Sequence, residues 1–170
     1  MKIKAVLTVL IFFISSVLLS QEGIKNESTE SSNPAHSLGF HIGSTTGMGL
    51  SYRFLPKKLG IQATFLPVFN GDGGMFLSSG LSILYKLKSS RRVDLFGYLG
   101  NHLTYRESAP GYYGEQNVNR NYHVGLGAGI NLHAWIDVLD ISFQMGYGVY
   151  SVNENPRSLP AAEIGFYYKF

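Results

Sequence analysis

The 170-residue chain has no cysteine, one tryptophan, and only 15% charged residues. Without cysteine there is no disulfide framework, no thiolate metal site and no lipoprotein-type cleavage site. Long apolar runs are missing too, except at the start. After Lys2 and Lys4, residues 5–19 are almost wholly apolar, and Ser20 precedes the polar Gln21. A short basic region, an apolar run and a small residue have the form of a secretory signal peptide, expected to span 1–20 and to be removed. As a retained helical anchor the run is short against the roughly 20 apolar residues needed. No later stretch approaches that length. Any membrane crossing beyond residue 20 has to be made by strands.

An excess of charge of one sign is also lacking. In residues 21–170, twelve Lys and Arg face eleven Asp and Glu, leaving +1. No nucleic-acid footprint follows from that balance. What is abundant is glycine, 20 residues, together with 11 Phe and 11 Tyr. Glycine and aromatics together suit strands that curve tightly and face a lipid boundary. Residues 21–36 are polar, with Ile24 as their one large aliphatic side chain. They read as a flexible N-terminal linker, because so little apolar area cannot offset the cost of ordering.

From Ser37 onward apolar and polar residues alternate, and side chains on a strand alternate between its faces. Leu38, Phe40 and Ile42 oppose Gly39, His41 and Gly43; Leu50, Tyr52 and Phe54 oppose Gly49, Ser51 and Arg53. A tight turn at Ser44-Thr45 joins these first two strands. Further alternating segments run through Ile61–Phe65, Met75–Leu87, Val93–Arg106, Tyr122–Leu132 and Ile141–Val149, and the chain closes on Pro160–Phe170. Strand Val93–Arg106 is the least regular: Phe96 and Tyr98 fall opposite Val93, Leu95 and Leu99, and a bulge would reconcile the two registers. The connections after strands two, four and six are short, the one through Trp135 and Asp137 among them. Those after three, five and seven are polar or Gly-rich, residues 107–119 forming the longest. Only the first hairpin is short where a long loop fits the pattern.

In the last eleven residues Ile164, Phe166, Tyr168 and Phe170 share one face, opposite Glu163, Gly165, Tyr167 and Lys169. A bare, half-apolar edge strand invites aggregation, whereas a closed barrel pairs its last strand with its first. The aromatic terminus with alternate apolar residues resembles the C-terminal insertion signal of bacterial outer-membrane β-barrels. Residues 37–170 are similar to the small eight-stranded members of that class, which consist of a barrel alone. The resemblance implies an all-β, antiparallel up-and-down transmembrane barrel in the outer membrane, with both termini on the periplasmic side. It implies lipid and lipopolysaccharide as surroundings, and a barrel-assembly machinery that reads Phe166, Tyr168 and Phe170. Soluble sandwiches and lipocalin-like barrels share the alternation. Strands of about 9–11 residues and an inward face of Gly, Ser, Thr, Asn and Gln favour the membrane form.

Candidate chemistry then lies inside the barrel. His41, His102, His123, Tyr150 and Glu163 point inward in the loop half, and Arg53, Lys86 and Lys169 point inward nearer the periplasm. A His–Glu pair suits acid–base work or a divalent ion. A structural hydrogen-bond network accounts for the same residues, because the interior of an eight-stranded barrel is filled by side chains and its buried charges must pair. Outer-membrane lipid A deacylases carry a His-x-Ser-Asn strand motif, which none of the five His residues matches. No catalytic residue, cofactor or metal site is assigned. Tyr112-Tyr113 in the 107–119 loop suit either a surface partner or the aromatic girdle of the barrel. The sequence therefore predicts a structural or surface-interaction barrel. A lipid-modifying enzyme, a narrow pore and a soluble periplasmic binding barrel are the alternatives.

Overall fold

The computed structural model describes residues 36–71, 73–108, 117–133 and 138–170. The expected signal peptide, residues 21–35 of the linker, Tyr112-Tyr113, Trp135 and Asp137 lie outside the described residues. Eight strands follow in order: β1 (His36–Gly43), β2 (Gly47–Phe54), β3 (Leu59–Phe69), β4 (Met75–Ser89), β5 (Val93–Glu107), β6 (Val118–His133), β7 (Leu139–Tyr150) and β8 (Arg157–Lys169). Each pairs antiparallel with its sequence neighbours, and β1 pairs with β8 to close the barrel. We call the end where β1 starts and β8 finishes the terminal end, and the opposite one the loop end.

The period-two pattern becomes a wall with two unlike faces. On β3, Gln62 and Thr64 are buried while Ile61 and Phe65 are exposed. On β7, Ser142 and Gln144 are buried while Phe143, Met145 and Tyr147 are exposed. Among the described residues, eighteen buried side chains are polar or charged and five are hydrophobic. A water-soluble domain has the opposite distribution.

The seam is in register from Ser37↔Lys169 to Ile42↔Ile164. Phe40 thus faces Phe166 and Leu38 faces Tyr168 on the outside. β1 begins at His36, one residue inside the expected linker. Its ring hydrogen-bonds the Tyr52 hydroxyl at 2.6 Å and stacks with Phe170, and its carbonyl accepts the Phe170 N–H.

Strand β5 corrects the expected bulge. It pairs with β6 without a break from Val93↔Leu132 to Glu107↔Val118. Asp94, Phe96, Tyr98, Gly100 and His102 therefore all point inward. The irregularity sits on the partner strand, between Lys86 and Lys88 of β4. Phe96 and Tyr98 pack with Leu84 and the half-buried Leu55 into a small apolar layer within an otherwise polar lumen. The longest loop is also narrower than 107–119, because Glu107 and Val118 are a ladder pair and Ser108 donates to the Asn117 carbonyl.

β1 and β2 are each 8 residues long, while the other strands have 11 to 16. Their turn does not continue the wall. Thr45 and Thr46 are fully buried inside the barrel. Gly47 enables the inward turn with a φ of 91°, a conformation L side chains rarely adopt. The Met48 N–H donates to the inward-facing Ser78 on β4.

Candidate functional site

The buried turn Ser44-Thr45-Thr46 organises the loop-end half of the lumen. Glu163 of β8 holds it. Its Oε1 accepts the Thr45 backbone N–H at 3.0 Å and the Thr45 hydroxyl at 2.6 Å. Its Oε2 accepts the Thr46 hydroxyl and lies 3.3 Å from His41 Nε2. His41 Nε2 is also 2.6 Å from Thr46 Oγ1, and its Nδ1 is 3.1 Å from the Tyr167 hydroxyl. A proton on Nε2 and a lone pair on Nδ1 satisfy this set. Four contacts on one carboxylate offset much of the cost of burying its charge.

The turn fits because the facing wall lacks side chains. A Cβ added at Gly80 would strike the Thr46 backbone, and one at Gly100 would lie 2.6 Å from Thr46 Cγ2. A Cβ at Gly125 or Gly148 would strike the Thr45 side chain. Four neighbouring strands, β4 to β7, thus leave glycine where the turn presses against them.

A second row closes over the turn. His102 Nδ1 donates to the Ser44 carbonyl at 3.0 Å, which leaves Nε2 to accept the Ser78 hydroxyl at 2.9 Å. Ser44 Oγ meets the Tyr150 hydroxyl at 2.8 Å. His123 Nδ1 accepts the Ser151 N–H at 3.0 Å, and its ring lies between those of His102 and Tyr150, at 5.5 and 5.3 Å. The five loop-half candidates therefore fall into two groups, His41 with Glu163 and His102 with His123 and Tyr150. The turn joins them.

The three terminal-half candidates are not one group. Arg53 occupies a layer of its own. Its Nε and Nη2 donate to Gln62 Oε1 at 3.1 and 2.7 Å, Nη1 to Asn131 at 2.9 Å and Nη2 to Ser142 at 3.3 Å. Its guanidinium carbon lies 4.0 Å from the centroid of the Tyr167 ring and 5.5 Å from that of Phe96. Lys86 and Lys169 belong to a lower layer with three residues the sequence reading did not single out. Lys86 pairs with Asp94 at 3.3 Å, and Lys169 pairs with Asp140 at 3.0 Å. His133 bridges them, 2.7 Å from Asp140 through Nδ1 and 3.4 Å from Asp94 through Nε2, the latter out of hydrogen-bond alignment. Asp94 and Asp140 were readable in principle, since both occupy inward positions of the alternation.

The lumen is filled rather than open at the levels of the turn and of Arg53. Thr45, Thr46, Arg53, Gln62, Phe96, Gln144 and Tyr167 are all at most 3% exposed. Among the described residues no group of three or more His, Asp or Glu is arranged to hold a metal ion. Phe166, Tyr168 and Phe170 stand on the outer face, each more than half exposed.

No family model and no curated protein sequence matches the chain. Solved structures do match. The N-terminal β-barrel domain of Pseudomonas aeruginosa OprF aligns with a TM-score of 0.50 and 11% identity, covering 78% of this chain and 95% of that one. The fold is that of the small outer-membrane barrels. Neisserial surface protein A aligns at 0.47 with 17% identity, covering 79% of this chain and 93% of that one. The attachment invasion locus protein Ail of Yersinia pestis aligns at 0.45 with 14% identity, covering 82% and 99%. At these identities the likeness is one of fold, and side-chain roles come from this chain's own geometry.

Proposed function

We propose that this protein is an integral outer-membrane barrel whose role is structural or surface-interacting, with a lumen closed to solute flow and without catalysis. One observation carries the reading: the barrel is polar inside and apolar outside. Exposed Leu, Ile, Phe, Met and Tyr side chains occur on the outer face of all eight strands. In water such a surface is far larger than the apolar patch a soluble monomer tolerates. In lipid it is the required solvent-facing surface, and strand closure satisfies the backbone. Insertion would use the outward Phe166, Tyr168 and Phe170 as the segment read by the assembly machinery.

The enzyme reading has one observation on its side. The Ser78 hydroxyl donates to His102 Nε2, while Nδ1 donates to a carbonyl, which is the polarity of a nucleophile–base pair. Ser78 is fully buried, however, and its oxygen already accepts the Met48 N–H. A substrate carbonyl has no approach to it without removal of the turn. The pore reading meets the filled layers at Thr45 and Arg53.

Membrane fractionation with gel mobility tests the proposal. The folded protein is expected in the detergent-resistant outer-membrane fraction, with a mobility that changes on boiling. Recovery as a soluble protein whose mobility heat leaves unchanged would overturn it.

A further inference from the structure

The inward dive of the first hairpin has a cost for the wall. β8 is paired with β1 only as far as Ile164, and β3 with β2 only from Phe65 downward. Above those pairs, Arg157–Glu163 of β8 keeps its β7 partner, and Leu66–Phe69 of β3 keeps its β4 partner. Among the described residues, neither segment has a strand paired on its other side. The two strands that would fill the space have turned into the lumen. Each open edge carries a proline, Pro160 and Pro67, which supplies no N–H donor and suits an edge rather than a sheet interior. The wall therefore has a lateral gap at its loop end.

Side-chain chemistry changes at the same place. Elsewhere in the loop half the inward positions hold His102, His123, Asn121 and Tyr150. Beside the gap the alternation continues inward from Thr64 to Leu66 and Val68, from Ser78 to Phe76, and from Glu163 through Ala161 to Leu159. Leu159 is 51% and Val68 38% exposed, so inward apolar side chains are left bare. Leu159 and Phe76 also border two small hollows at the loop tips, of about 200 and 320 Å3, whose other walls are largely polar, with Glu154 and Arg157 in one and Arg106 and Glu107 in the other. On the strand that borders the gap and on its neighbour, outward apolar residues adjoin these inward ones, Phe65 next to Leu66 on β3 and Leu77 next to Phe76 on β4.

We infer that the gap between β3 and β8 is a lateral binding site for the acyl chain of a membrane lipid. The chain enters from the lipid phase and lies over the buried turn, against Leu66, Val68, Phe76 and Leu159. Adjacency to the lipid-facing surface selects this occupant. A chain already dissolved in the bilayer reaches these side chains without crossing water, and their burial against it removes apolar surface from water. A strand from a second copy would pair with edges that the two prolines interrupt. The inference rests on the outer-membrane reading above.

Absence of cysteine makes the test direct. Single variants Leu159→Cys and Val68→Cys, each carrying an environment-sensitive fluorophore, are placed in phosphatidylglycerol vesicles with brominated or unbrominated chains. Leu126→Cys on the outer face and Asn121→Cys on the inward polar side serve as references, and heat-modified mobility verifies folding. Brominated chains are expected to quench labels at 159 and 68 at least half as strongly as at 126, and to leave 121 nearly unquenched. Quenching at 126 with none at 159 and 68 would overturn the inference while leaving the membrane reading standing. No quenching at 126 would overturn both. Labels at 159 shielded from lipid and from aqueous iodide would place another protein segment in the gap, and a disulfide-linked dimer of Leu159→Cys would place a second copy there; either result sinks the lipid site.

Discussion

Glu163 at the loop end is surrounded by two hydroxyls, one backbone N–H and an imidazole, whereas Asp94 and Asp140 at the terminal end are surrounded by Lys86, Lys169 and His133. The lower layer is a mesh of side chains, in which each carboxylate has its own lysine and the two share a histidine. The upper layer is a single carboxylate holding a piece of main chain. Its partners are donors on a turn that, without them, has no ladder to join. The same barrel thus uses acidic residues in two ways: to balance charge where the wall is complete, and to position backbone where the wall has been interrupted. Buried ion pairs often contribute little net stability against apolar replacements. Loss of a sole acceptor is different, since it strands several donors at once.

Glu163→Ala breaks the upper layer outright. It leaves the Thr45 N–H and the Thr45 and Thr46 hydroxyls without their acceptor, and is expected to cost about 3–5 kcal/mol in urea unfolding of the detergent-folded barrel. Glu163→Gln keeps one carbonyl acceptor and should lose less. An unchanged midpoint in the alanine variant would show that packing alone retains the turn. Planar-bilayer conductance should stay absent in both variants, because Arg53, Phe96 and Tyr167 still fill the level below.

Gly125→Ala attacks the same turn from the opposite wall. The new methyl occupies the space of the Thr45 side chain, and overpacking of this kind costs about 1–3 kcal/mol. The same midpoint measurement reports it. A neutral result would mean the turn can retreat from β6 while keeping its bonds to Glu163.

Asp140→Asn is the smallest expected effect, about 1 kcal/mol. Asparagine still accepts from Lys169 or His133, and Asp94 remains within reach of both His133 and Lys86. Equality with Glu163→Ala would erase the distinction between the layers.

The strands were legible because lipid and lumen impose opposite chemistries on alternate residues. That rule carried β6 from Tyr122 to Leu132 without error. It faltered at Phe96 and Tyr98, where large aromatics face inward and look locally like outward residues; only the unbroken β5–β6 register shows which face they take. The inward His, Glu, Arg and Lys were legible as a set but not as layers, since register and tilt decide which of them meet. The buried turn was not legible. Ser44-Thr45-Thr46 reads as a plain tight turn, and Gly80, Gly100, Gly125 and Gly148 read as separate strand glycines. They form one surface only after four strands are aligned.

The turn that Glu163 secures belongs to the first hairpin, yet the carboxylate sits on the last strand, 118 residues from Thr45. Contacts this distant in sequence are entropically slow to form. No earlier strand supplies the carboxylate that holds Thr45 and Thr46. The turn is therefore a latch that engages only as β8 zips onto β1, a few residues beyond the Ile42↔Ile164 pair. Until that moment a nascent barrel has a first hairpin without its carboxylate anchor and an open seam. Circularisation and internal locking become a single late, cooperative step.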